Sequence, residues 1–283
     1  MPVLNVRRTT DDYLHFDAEE CRAAGEALAA DYAAAEPFPH AVIDDFLDRD
    51  LLKRVIAEFP ATEGREHFDR SQERLKYQFH PKTIESGFIR NLLAELNSDS
   101  FIRFVEGISG IKGLIPDPYY SGGGLHEIKT GGHLSVHADF NIHGRMKVER
   151  RLNLLIYLND DWPAEYGGEL ELWDKAMTTR QKSVAPLLGR AVLFNTSLDS
   201  FHGHPEPLSC PPDRTRRSIA LYYYTAFPEG PAAAPKRTTV FKPRPGTGDK
   251  MDWQVSGQHF VNDWVPHKLQ PFAHKVLRRV GLS

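Results

Sequence analysis

From about Gly124 to Phe227 the chain alternates apolar and polar residues with a period of two, and this stretch restricts the possible fold more than any other. Successive side chains of a β-strand point to opposite faces. RLNLLIYL therefore sets Arg151, Asn153, Leu155 and Tyr157 against Leu152, Leu154, Ile156 and Leu158. RSIALYYY sets Arg216, Ser218, Ala220, Tyr222 and Tyr224 against Ile219, Leu221 and Tyr223. In GHLSVHADF the polar face is His133, Ser135, His137 and Asp139. Each strand has an apolar face suited to packing on helices and a polar face suited to lining a cavity. Shorter strand candidates lie between them: ELELW (169–173), KSVAP (182–186), AVLFN (191–195) and SFHGHPEP (200–207). Many short strands separated by Gly, Pro, Asn and Asp turns predict a jelly roll or barrel.

The flanks read differently. Asp17 to Ala35 is alanine-rich with acidic residues early, the pattern of a helix. HAVIDDFL reads as a short strand or an entry segment, and Asp48 to Phe59 as an amphipathic helix behind an aspartate cap. Two more helices are expected between Thr83 and Ile111. The chain thus divides into a mainly helical region (1–112), a β-rich core (113–228) and a Pro/Lys-rich extension (229–283) that ends in a short basic helix. The fold class is α+β with a β-dominated core.

Composition removes several functional classes. A net charge of −3 gives no nucleic-acid footprint. No apolar run is long enough for a signal peptide or a membrane span, so neither partner is expected and the location expected is cytoplasmic. The cysteines, Cys21 and Cys210, are too few for a disulfide framework or a cysteine zinc knuckle. Nothing in the sequence sets an oligomeric state.

The chemistry concentrates in His137-Ala138-Asp139. On a strand, His137 and Asp139 share a face, and His202 on a later strand can complete a triangle. Two histidines and one carboxylate with open positions opposite is the ligand set of non-haem Fe(II) oxygenases. A keto diacid bound to such a metal needs a cation for its far carboxylate, and the arginine fork suits that best. Arg216 begins the last strand, with Ser218 on its face, and Tyr157 can offer a hydroxyl.

In GGHLSVHADF, LNLLIYLNDDWPAEYGGELELW, SFHGHPEP and TRRSIALYYYT, the segment from His126 to Ala226 resembles the prolyl 4-hydroxylase branch of the Fe(II)/2-oxoglutarate dioxygenases. PFPHAVIDDFL resembles the segment that leads into the core in that branch. The resemblance implies a double-stranded β-helix with His137, Asp139 and His202 as both iron ligands and catalytic centre. It further implies that Arg216 binds the distal carboxylate of 2-oxoglutarate and that Tyr157 donates to it. Where the family has a tyrosine nine or ten residues before its first ligand, this chain has Glu127 and Ile128.

Rival assignments are specific. His204 shares a strand face with His202, but the family ligand precedes a glycine, which favours His202-Gly203; His204 is then a neighbour of the ligands. His133 is expected to line the cavity or sit at its rim, and His126 and His143 on loops or the surface. Arg217 should point away from Arg216, unless a bulge exchanges them. NIHGRMKVERR reads equally as a solvent loop or as a lid. The reaction expected is hydroxylation of an unactivated C–H bond in an amino acid, peptidyl residue or small metabolite. It would use Fe(II), 2-oxoglutarate and O2, with ascorbate in support, and give succinate and CO2. Halogenating relatives have a small residue in place of Asp139, so its presence favours hydroxylation. The alternatives are a cupin-like isomerase or hydrolase and a catalytically silent binding module.

Overall fold

In the computed structural model, residues 1–61, 66–227 and 237–249 are described. The chain opens with a small hairpin, β1 (Val6–Arg8) and β2 (Leu14–Phe16). Helix α1 (Ala18–Ala34) follows, with the Asp17 side chain accepting from the Glu19 and Glu20 amides. After β3 (His40–Ile43), Asp48 caps α2 (Arg49–Ala57) through the Leu51 amide. A second hairpin, β4 (Glu66–Phe68) and β5 (Glu73–Phe79), precedes α3 (Gly87–Glu95) and α4 (Asp99–Ser109). Ser86 and Ser98 cap those two helices. Helices α1 and α4 cross at glycines: a Cβ on Gly25 would stand 2.3 Å from the Phe104 carbonyl oxygen.

The strands that follow are β6 (Ile115–Pro116), β7 (Gly124–Ala138), β8 (Glu149–Tyr157), β9 (Leu170–Trp173) and β10 (Arg180–Val184). They continue with β11 (Ala191–Asn195), β12 (His202–His204), β13 (Thr215–Thr225) and β14 (Val240–Phe241). The main path runs β10-β9-β12-β7-β13-β8-β11-β3, with antiparallel neighbours throughout.

The long strand β7 turns this path into a double-stranded β-helix. Its first half (124–129) pairs with β13 and its second half (Leu134, His137) with β12. Gly131 and Gly132 lie at the corner. Gly131 has φ +79°, and a Cβ on Gly132 would stand 2.7 Å from the Arg74 carbonyl oxygen. One strand thereby serves two facing sheets, as strands at sandwich corners do.

The alternation of β8 and β13 decides where the core lies. Leu152, Leu154, Ile156, Ile219, Leu221 and Tyr223 turn outward and share one apolar cluster with the helices. The opposite faces line the barrel. The helices expected in the first third are all present, but three strands from that region, β3, β4 and β5, also belong to the sheet. β3 pairs with β11, and β5 pairs with β7. β5 carries its own strand signal, Leu75, Tyr77 and Phe79 alternating with Arg74, Lys76 and Gln78. Of the extension, 237–249 runs against the core and β14 pairs with β7 at Ala138 and His137. The basic helix expected near the C-terminus falls outside the described residues. No described helix is long and apolar enough to cross a membrane.

Candidate metal centre

The three expected ligands meet. His137 lies near the end of β7, Asp139 just follows it, and His202 opens β12 directly across the ladder from His137. The two imidazole centroids are 4.5 Å apart. Asp139 Oδ1 is 3.6 Å from His137 Nε2, and Oδ2 is 3.4 Å from His202 Nε2. Ligands about 2.1 Å from a divalent cation at right angles stand roughly 3 Å apart, so the group need close by only tenths of an ångström.

Protonation suits a cation. His137 Nδ1 lies 2.9 Å from the Ser135 carbonyl oxygen, and His202 Nδ1 lies 2.9 Å from that of Ser200. Each bond places the ring proton on Nδ1 and leaves the Nε2 lone pair for a metal. Burial, with His137 alongside, pushes the His202 ring down to about 4, so it is neutral at physiological pH. Burial opposes ionisation of Asp139, but the Arg150 guanidinium beside it holds its carboxyl well below the usual range. Two imidazoles whose Nδ1 atoms are engaged by carbonyls and an ionised carboxylate are a donor set that fits a divalent metal.

Arg150 and Asn153 orient that carboxylate. Asn153 Nδ2 donates to Asp139 Oδ2 at 2.7 Å, and Arg150 Nη2 lies 3.2 Å from the same oxygen. Arg150 Nε in turn donates to Asn153 Oδ1 at 2.9 Å. The guanidinium lies 3.5 Å over the Tyr222 ring and 4.7 Å over that of Phe140, which fixes its plane. Strict alternation along β8 would point Arg150 out of the barrel. The ladder shift at Tyr223 and Tyr224, which sets Tyr224 opposite Arg150, breaks that alternation.

A second irregularity corrects the face expected for GHLSVHADF. His202 pairs with His137 but His204 pairs with Leu134, so β7 carries one extra residue there. Leu134 lines the cavity with His137, while His133 leaves it and bonds to the Ser71 carbonyl at 3.1 Å.

Arg216 and Ser218 line the cavity, of about 270 Å³, that the three ligands also line. Arg216 is buried, and its Nε donates to the Gly168 carbonyl at 2.8 Å. Its Nη2 reaches the Tyr157 hydroxyl at 3.4 Å, and the guanidinium lies over the Tyr157 ring. Tyr157 stands behind Arg216, within a cluster that includes Phe38, Leu172 and Phe194. Arg217 points outward, bonded to Glu127 Oε1 at 2.9 Å. Glu127 thus occupies the outer face, while Ile128 lines the cavity.

Two histidines expected on loops or the surface are interior. His126 lines the cavity and its Nε2 donates to the Gly122 carbonyl at 3.0 Å. His143 is fully buried; its Nδ1 accepts from the Arg145 and Met146 amides, and its Nε2 faces Asp117 at 3.2 Å. The 140–150 connection is therefore pinned through its histidine, by contacts its polar composition did not disclose. His204 also lines the cavity, buried, with neither ring nitrogen bonded among the described residues. The half-buried rings of Phe68, Phe140 and Phe241 edge the opening, and Phe241 packs on the His137 ring at 5.4 Å.

Residues 123–224 match the model of the 2OG-Fe(II) oxygenase superfamily. The mouse prolyl 3-hydroxylase OGFOD1 is 27% identical over 239 residues, which are 80% of this chain and 39% of that protein. The chain therefore spans about two fifths of the length of that curated relative. A Pseudomonas putida prolyl 4-hydroxylase structure superposes with a TM-score of 0.52 at 18% identity, over 72% of this chain and all of that one. A Trichoplax adhaerens prolyl hydroxylase, solved with a hypoxia inducible factor peptide fragment, gives 0.54 at 18% identity, over 73% and 91%. The structural likeness establishes the fold.

Proposed function

Residues 123–224 belong to the 2OG-Fe(II) oxygenase superfamily, in its prolyl hydroxylase-like branch, and from that premise we propose that the protein hydroxylates an unactivated C–H bond of a peptidyl residue. A prolyl residue is the first candidate; a free amino acid or small metabolite is the alternative. The observation that carries the reading is the convergence of His137, Asp139 and His202 in a cavity that also holds the buried Arg216.

His137 and His202 would hold Fe(II) through Nε2 and Asp139 through its carboxylate. Fe(II) held there would supply the oxidative decarboxylation of 2-oxoglutarate by O2, with one oxygen atom going to the substrate and the other to succinate. The protein's own part is orientation and exclusion of water. Arg150 and Asn153 keep Asp139 ionised and aimed. Arg216 neutralises the distal carboxylate of the keto acid. Phe68, Phe140 and Phe241 give the target an apolar approach, which suits a proline ring better than a charged side chain. The mouse relative is a prolyl 3-hydroxylase, which supports the same target.

The test is incubation with Fe(II), ascorbate, 2-oxoglutarate and a panel of prolyl peptides, other peptides and free amino acids. A mass gain of one oxygen on a prolyl peptide is expected. Gain only on free amino acids, or only on non-prolyl peptides, would move the substrate assignment.

A further inference from the structure

His204 is a polar wall group of the cavity with no hydrogen-bond partner among the described residues. It lies two residues beyond His202 on β12 and lines the same cavity. It is 4% exposed, and neither ring nitrogen is hydrogen-bonded among the described residues. Buried polar groups are nearly always satisfied, so bare nitrogens on a cavity wall point to a ligand that completes them. Arg216 and Lys76 are among the cations that line this same cavity. The Lys76 ammonium is engaged, 2.6 Å from Glu73 Oε1. An anion at this wall would therefore meet the Arg216 fork with His204 beside it. The Tyr157 hydroxyl, expected to assist the arginine, lies 3.4 Å from Arg216 Nη2, and Tyr157 is not among the residues that line the cavity.

We propose that His204 is a cosubstrate-binding residue, donating one ring N–H to the distal carboxylate of the keto diacid that Arg216 anchors. The assignment rests on the cosubstrate reading above. A neutral imidazole always carries one N–H, so the bond needs no change of charge. An uncharged donor beside a buried arginine adds direction without adding a second buried cation.

The test uses the full chain loaded with Mn(II) without oxygen, titrated with 2-oxoglutarate and with 2-oxobutyrate, which keeps the keto-acid end and lacks the far carboxylate. His204→Val is expected to weaken 2-oxoglutarate about 10- to 100-fold, the range for a hydrogen bond to a charged group. Mn(II) and 2-oxobutyrate affinities should not move, and His204→Gln, which keeps a donor, should recover most of the loss. Unchanged 2-oxoglutarate affinity in His204→Val overturns the assignment of His204 while leaving the cosubstrate reading standing. Equal weakening of both keto acids overturns it too, because that marks a packing role. Absence of 2-oxoglutarate binding by the unaltered protein overturns the cosubstrate reading itself.

Discussion

Asn153 donates to Asp139 at 2.7 Å across the barrel interior, joining the strand after the expected metal ligands to the carboxylate among them. The same amide group accepts from Arg150 Nε, so a single side chain aligns an acid and its counter-charge. Removing an outer-shell partner of this kind costs about 10- to 100-fold in metal affinity. Asn153→Leu should lose Mn(II) affinity in that range with its circular dichroism spectrum unchanged. Equal Mn(II) affinity would mean that Arg150 alone orients Asp139.

Arg216 and Arg217 are adjacent in sequence and opposite in consequence. Arg216→Ala should weaken 2-oxoglutarate by about 100-fold, in line with a lost charge-assisted fork, while Mn(II) still binds. Arg217→Ala should leave 2-oxoglutarate affinity alone and destabilise the fold. It strips the buried Glu127 of its cation, and because Arg217 is partly exposed the loss is about 1–3 kcal/mol rather than that of a fully buried pair. Keto-acid titration and urea unfolding of both variants check the pair of outcomes, and an exchange of phenotypes would put the anchor at Arg217.

Acid should destabilise the protein before its carboxylates titrate. Burial lowers the pKa of His40 and, more strongly, of His126, so both are neutral in the folded chain while the unfolded chain takes up protons near pH 6.5. A depressed folded value gives stability that is present above about pH 6.5 and is lost as pH falls toward the folded value. The slope is about 1.4 kcal/mol per pH unit for each such proton. Urea midpoints should fall between pH 7.5 and 5.5, and His126→Gln should flatten the fall. A flat wild-type profile would contradict the burial argument.

Gly25→Ala should destabilise the helical layer. The new Cβ meets the Phe104 backbone, which cannot yield as a flexible side chain would. A loss of about 1–3 kcal/mol in urea unfolding is expected, with metal affinity unchanged.

Strand periodicity, cap residues and motif order made the barrel, the four helices and the metal triangle legible in the sequence. What stayed hidden depends on where the ladder slips. The extra residue in β7 sends His133 out and Leu134 in, and the shift opposite Tyr224 turns Arg150 inward. Strict alternation cannot anticipate either, because a bulge is fixed by pairing with a distant strand. His143 misled for a different reason. A polar loop reads as solvated unless its contacts are known, and here one buried imidazole satisfies two amides and faces an aspartate. The β5 signal, by contrast, was present in Leu75, Tyr77 and Phe79 and was masked by the charged residues that now face the cavity.

Succinate release, measured beside metal content, tests the account most directly. The protein reconstituted with Fe(II) should convert 2-oxoglutarate to succinate, and His137→Ala and Asp139→Ala should lose both iron and turnover. Stoichiometric zinc, with no 2-oxoglutarate binding when iron is supplied without oxygen, would contradict the claim that His137, Asp139 and His202 form an oxygenase centre.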